Sequence, residues 1–149
     1  MASSLLGEDF NYGSGDGHYY VGDTHWHPDE GNTIWGYEPG SDAFAIKVAF
    51  YLDAVCADTG ALRVIPGSHL NGGPYRSNDG TLNPEFMAAI NDADGPLGRG
   101  SSENGNIALE SDPGDLVVFN HKVLHSAWGG GVKRRMFTMV RVLVAFRPR

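Results

Sequence analysis

The residues best equipped for chemistry are the six histidines, and two of them crowd into residues 24–30 (THWHPDE) beside two acids. His27-Pro28-Asp29 has the His-x-Asp spacing. In an extended chain residues i and i+2 point to the same side, so this imidazole and this carboxylate can reach one ion. A third ligand from a distant strand would complete the two-His-one-carboxylate face of non-haem Fe(II) sites, which leaves coordination positions open. The same letters also allow zinc: His25-x-His27-x-Asp29 offers two imidazoles and a carboxylate that could bind the ion and activate water. Spacing alone selects neither, because a chain of this composition yields about 0.7 His-x-acid occurrences by chance.

Ligands from distant parts of a chain need a rigid frame, and short strands supply it here. The 149 residues suit one domain, and the 21 glycines, roughly twice the usual share, lie between short β-branched runs. That pattern predicts an all-β sandwich or barrel. Residues 43–52 (AFAIKVAFYL) form the longest strand signal and predict a central strand. Residues 60–65 (GALRVI) predict another, closed by Pro66-Gly67. Residues 18–21, 33–37, 107–109, 115–119 and 123–127 are shorter candidates. Residues 135–146 predict a long final strand with apolar residues on both faces. Asn83-Pro84-Glu85 is a helix-start signal before residues 86–90, the one short helix expected. The polar, glycine-rich residues 1–17 read as a flexible N-terminal segment and residues 18–149 as a single domain.

The net charge of −7 is unevenly spread. Six basic residues and no acids fall in 133–149, whereas the first 132 residues carry 18 acids against five basic residues. Such an acidic body argues against broad binding to nucleic acid or to an anionic membrane. The single cysteine, Cys56, excludes an internal disulfide and fits a reducing compartment; it reads as inert. The longest apolar run, residues 142–146, is too short to span a bilayer, and no signal-type leader is visible. A soluble, cytoplasmic protein is expected.

Residues 50–69 (FYLDAVCADTGALRVIPGSH) closely resemble the signature of the phytanoyl-CoA dioxygenase-like family, in which a Leu-Asp turn precedes Thr-Gly-x-Leu-x-x-Ile-Pro-Gly-Ser-His. Residues 112–135 (DPGDLVVFNHKVLHSAWGGGVKRR) resemble that family's segment with the distal histidine and the co-substrate arginine. With residues 26–29 (WHPD), three separated blocks stand in the family's order. The resemblance implies a double-stranded β-helix, a jelly roll, in an Fe(II)- and 2-oxoglutarate-dependent dioxygenase. It matches His27 and Asp29 to the proximal iron ligands and His125 to the distal one. It matches Arg134 to the arginine that holds the far carboxylate of 2-oxoglutarate. Arg135 stays open as the alternative, since a one-residue shift turns a strand side chain to the other face. A guanidinium suits the task because it binds carboxylate bidentately. Oxidative decarboxylation would give succinate and CO2 and hydroxylate a small organic substrate. Related halogenases replace the carboxylate ligand with a small residue, so Asp29 favours hydroxylation.

Two other functions fit the same residues. One is a catalytically silent jelly roll that binds metal as a binding module. The other is a zinc hydrolase, since residues 25–29 resemble the start of the metallo-β-lactamase motif His-x-His-x-Asp-His; Glu30 stands where that motif has its next histidine. Of the remaining candidates, His69 reads as a structural loop residue and His121 as a turn or ligand-supporting residue. His25 is expected to face solvent and Trp26 to pack. Trp35, Tyr37 and Trp128 suit either core or a substrate wall. Lys47 and Tyr51 share one face of their strand and would touch co-substrate if that face is inward. Against the resemblance the chain is short ahead of His27, where relatives carry supporting elements. A minimal barrel, one completed by a second copy of the chain, and a truncated piece all remain open.

Overall fold

The computed structural model describes residues 2–8, 10–19, 22–29, 44–98, 100–131 and 134–143. In chain order the elements are α1 (Ala2–Leu6), β1 (Asn11–Tyr19), β2 (Phe44–Tyr51), β3 (Leu62–Val64), α2 (Pro84–Asn91), β4 (Ile107–Leu109), β5 (Leu116–Asn120), β6 (His125–Ser126) and β7 (Arg135–Leu143). They build two antiparallel sheets, ordered β1-β7-β2-β5 and β4-β3-β6. This is the mainly-β jelly roll expected from the sequence.

The run at 43–52 becomes β2, which pairs with β7 on one side and β5 on the other. Neighbours pair both its edges and separate clusters pack on its two faces, which explains why Ala45, Ile46, Val48, Ala49 and Tyr51 are all buried. Ala49 and Tyr51 turn inward onto Val55, Ala61 and Met136. Ile46 and Val48 turn outward, where Leu6 of α1 packs on them with Phe10 and Met139. Opposite, Leu62, Val64 and Val123 close the second sheet against Val117 and Phe119.

The helix begins where Asn83 predicts. Its side-chain oxygen accepts from the backbone N–H groups of Glu85 and Phe86, and Pro84 occupies the first turn. The helix lays Ile90 against Trp26, Ile65 and Leu124. Between these layers the Arg76 guanidinium donates to the carbonyls of Ser68 (2.8 Å), Gly80 (2.9 Å) and Lys122 (2.9 Å). A buried arginine committed to three backbone acceptors ties the loop at 66–82 to the turn that precedes β6.

Residues 1–17 are not the loose segment the sequence suggested, because they contain α1 and most of β1. The strand runs across the expected boundary at 17/18 and pairs with β7 from Asn11↔Val142 to Tyr19↔Arg135. Its side chains are mostly exposed on both faces, so no hydrophobic alternation marks it in the sequence. What selects it is the open edge of β7, whose backbone groups need partners whatever the side chains are. Gly15 permits the close approach: a Cβ there would stand 2.8 Å from the Thr138 carbonyl oxygen. The aromatic run at 33–37, with Trp35 and Tyr37, and residues 144–146 of the final strand lie outside the described residues.

Candidate metal centre

His27, Asp29 and His125 each turn one ligand atom into a common space, all within 4.8 Å of one another. Backbone pairing brings them there. The His27 N–H donates to the His125 carbonyl (3.1 Å) and the His125 N–H to the His27 carbonyl (3.0 Å). The Asp29 N–H donates to the His121 carbonyl (2.9 Å), and the Thr24 N–H to that of Ala127 (2.9 Å). Residues 24–29 thus lie alongside β6 as an irregular further strand. On its other side the segment is held by α2: the Asn91 side chain accepts from the Trp26 N–H (2.8 Å) and donates to the Trp26 carbonyl (3.1 Å).

The ring nitrogens sort themselves. Nδ1 of His27 lies 2.7 Å from the His25 carbonyl and Nδ1 of His125 lies 2.9 Å from that of Val123. A carbonyl only accepts, so both Nδ1 atoms carry a proton, and Nε2 is the atom that each ring turns to the cluster. Burial pushes the pKa of His125 down to about 4 against the opposing pull of Asp29, so the ring is neutral at physiological pH. Asp29 is divided between two tasks. Lys47 donates a hydrogen bond to its Oδ1 (3.1 Å), with the ammonium 2.9 Å from Oδ2. Oδ2 itself is buried, accepts no hydrogen bond of good geometry among the described residues and stands 3.5 Å from Nε2 of His125. Two imidazole nitrogens and a carboxylate whose charge is shared with the Lys47 ammonium are a donor set that fits a divalent metal of the Fe(II) type.

The cluster opens into a cavity of about 140 Å³ that also touches Lys47, Tyr51, Arg134 and Thr138. His18 and Thr24 also line it, and Leu62, Ala127 and Met136 supply an apolar wall. Arg134 is buried, and its Nη1 donates to the Gly60 carbonyl (2.7 Å). Burial lowers its pKa from the usual value, with Tyr51 and Asp23 acting in the opposite sense. Two glycines make the room. Gly60 sits at φ +100°, and a Cβ there would come 2.7 Å from Cα of Gly130 and 3.1 Å from Cδ of Arg134.

Arg135, the alternative to Arg134, is not brought to the cavity. It points outward and pairs with Asp53, Nη2 to Oδ1 at 2.7 Å and Nε to Oδ2 at 2.9 Å. His25 is exposed and stands apart from the cluster; its contribution is the carbonyl that orients His27. The zinc arrangement His25-x-His27-x-Asp29 is therefore not assembled. His121 is buried with its Nδ1 2.9 Å from the Ala45 carbonyl, while its own carbonyl holds Asp29. Trp26 packs edge-on against Trp128 at 6.0 Å, and Arg63 lies over the Trp128 ring at 4.2 Å. His69 is only partly covered, and Cys56 is exposed and unbridged. Lys47 and Tyr51 both reach the cavity, which settles the face left open by the sequence. Asn91 had no signal beyond its place at the end of a helix.

A family model described as phytanoyl-CoA dioxygenase matches residues 13–135. The chain is similar in structure to EctD from S. alaskensis with 2-oxoglutarate and 5-hydroxyectoine, at TM-score 0.67 and 23% identity over 99% of this chain and 49% of that one. It is similar to EvdO2 from Micromonospora carbonacea var. aurantiaca complexed with 2-oxoglutarate, at 0.64 and 20% over 99% and 60%. It is also similar to SnoN, a non-haem alpha-ketoglutarate-dependent epimerase from nogalamycin biosynthesis, at 0.60 and 17% over 94% and 52%. The chain spans about half the length of the EctD and SnoN structures and 60% of EvdO2. No curated protein matches it significantly.

Proposed function

The chain belongs to the phytanoyl-CoA dioxygenase family, and from that premise we propose that it is an Fe(II)- and 2-oxoglutarate-dependent dioxygenase that hydroxylates a small organic substrate. The observation that carries the reading is that His27, His125 and Arg134 line one cavity, with Asp29 clustered within 4.8 Å of the two histidines. Its working unit is a single jelly-roll domain that includes β1 entire.

In this reading Nε2 of His27, Nε2 of His125 and Oδ2 of Asp29 hold the iron. The bound metal with 2-oxoglutarate and dioxygen supplies oxidative decarboxylation to succinate and CO2, with one oxygen atom passed to the substrate. The protein's own work is placement. Arg134 meets the far carboxylate of the co-substrate with a guanidinium already fixed by Gly60. Lys47 holds the Asp29 carboxylate, its ammonium 3.1 Å from Oδ1 and 2.9 Å from Oδ2, and so fixes that carboxylate beside the two histidines. Leu62, Ala127 and Met136 limit water beside the reacting groups. Asp29 supports hydroxylation over halogenation, since the carboxylate fills the place a halide would need. Among the described residues no helix is long and apolar enough to cross a membrane. A small-molecule substrate fits a cavity of this size.

The test is succinate formation. Protein loaded with Fe(II) under reducing conditions should convert 2-oxoglutarate to succinate in the presence of oxygen, slowly alone and faster with an accepted substrate, which should gain 16 mass units. Iron binding without succinate, coupled or uncoupled, would leave the silent metal-binding module. Turnover with no mass gain would point to a rearrangement instead of hydroxylation. Two zinc ions per chain would restore the hydrolase.

A further inference from the structure

Most of the large apolar side chains exposed among the described residues share one surface, the outer face of the β1-β7-β2-β5 sheet. The strand register defines it. Gly17, Phe137, Phe50 and Leu116 form one row across the four strands. Tyr19 stands opposite Arg135 in the next row, where the Leu52 N–H donates to the Arg135 carbonyl. Along β2 and β7 these residues alternate with Tyr51 and Met136, which turn inward to the cavity, so this face points away from it. α1 covers the Ile46 and Val48 rows, but among the described residues nothing packs over the Phe137 row.

The uncovered area is flat and large. With no side chain at Gly17 the Phe137 ring leans over β1, and a Cβ there would come 3.2 Å from Cε1 of the ring. Tyr19 is 80% exposed, Phe137 49% and Leu116 48%, and Leu52 and Leu5 of α1 add to them. At about 200 Å² for a whole aromatic side chain, these five leave on the order of 600 Å² uncovered. A monomer's largest apolar patch is ordinarily about 300–600 Å², and each partner in a stable interface buries about 800 Å².

Charge and shape select the occupant. The chain carries a net charge of −7, which repels an anionic membrane. The face itself is neutral, because Asp53 holds the Arg135 guanidinium at 2.7 and 2.9 Å. Nothing on it calls for a partner of opposite charge, and a second copy brings an equally neutral apolar surface. A two-fold axis lying across the strands at the level of Phe137 stacks this row on its own copy, as two sheets pack about 10 Å apart. That axis also swings the two α1 helices clear of each other, since each lies to one side of the row. Leu5 then has a place over the partner's Tyr19 and the partner's Leu52.

We propose that this sheet face is the interface of a symmetric homodimer, centred on Phe137, Phe50 and Leu116. The interface lies on the opposite side of the sheet from the metal cluster and does not depend on the chemistry of the cavity.

Sedimentation of the full chain over a concentration series tests it. Wild type should dimerise with a Kd on the order of micromolar, and the dimer should tighten as NaCl rises from about 0.05 to about 0.5 M, because salt screens the repulsion between two acidic copies. Phe137→Glu and Leu116→Lys should each raise Kd at least about thirtyfold, the scale of a central interface residue. Leu116→Lys lies on an exposed edge-strand position and decides the matter if Phe137→Glu does not fold. Ile107→Lys, at an exposed apolar position on the other sheet, should dimerise like the wild type. A wild type that stays monomeric at about 100 μM, far above that Kd, would overturn the proposal. So would a dimer that Ile107→Lys breaks and Leu116→Lys spares, or one that salt weakens, since its contacts would then lie elsewhere or be ionic. Monomers that bind phosphatidylcholine vesicles through Phe137 and Leu116 would reassign the face to a lipid surface.

Discussion

The two ends of the cavity are built by opposite means. At the metal end His27 and His125 meet because their backbones exchange hydrogen bonds in both directions, and Asp29 is fixed through the His121 carbonyl. Side chains ride on that ladder. At the anchor end Arg134 is placed by missing side chains: Gly60 and Gly130 leave the space its guanidinium occupies. A ladder tolerates changes in neighbouring side-chain volume and fails only when a ligand is removed. A cradle made of glycines fails when a methyl group is added. The two ends should therefore respond independently to substitution, and that independence can be tested.

The largest effect is expected at the metal end. His125→Ala removes one of three donors and leaves Oδ2 of Asp29 facing a void, so Fe(II) affinity should fall by more than about 100-fold, the upper range for merely orienting partners. Metal content after gel filtration measures it. Retention at the wild-type level would mean that the cluster is not the metal centre. Next in size is the anchor. Arg134→Met should weaken 2-oxoglutarate roughly 100-fold, given about 1.5–3 kcal/mol for a charge-assisted hydrogen bond in a dry site. Metal affinity should stay unchanged. Arg135→Met, which loses only an outward pair with Asp53, should leave both affinities at the wild-type value. The reverse pattern in titrations of the two variants would place the true register one residue along β7.

What the sequence made legible follows the range of the interactions involved. The strand signal at 43–52 returns as Phe44–Tyr51 because a central strand must be apolar on both faces, a property written in consecutive residues. The helix start at Asn83 is equally local, since its cap spans three residues. The triad His27, Asp29 and His125 came from the family resemblance together with the His-x-Asp spacing; the spacing alone could not supply His125. Arg134 and Arg135 could not be separated, because one residue of register decides which of them enters the cavity. The Lys47 contact with Asp29 and the Asn91 clasp on Trp26 were invisible, since each joins residues brought together only by the finished fold. β1 was missed for a related reason: an exposed edge strand is chosen by its partner's backbone and leaves no pattern of its own.

The finest test of the contrast is a single methyl group. Gly60→Ala places a Cβ 2.7 Å from Cα of Gly130 and 3.1 Å from Cδ of Arg134, on a residue whose φ of +100° disfavours any side chain. Backbone cannot yield as a flexible side chain would, so either the 60/130 contact opens or Arg134 shifts. The strain should cost about 1–3 kcal/mol of stability, measured by thermal or denaturant unfolding. The Gly60 carbonyl that holds Nη1 of Arg134 moves with it, and 2-oxoglutarate should bind about three- to tenfold more weakly, equivalent to about 0.6–1.4 kcal/mol. Mn(II) affinity measured on the same sample should not move, because no ladder bond at the metal end passes through residue 60. A parallel loss of metal and co-substrate would show that the two ends form one cooperative unit, and the division between ladder and cradle would have to be given up.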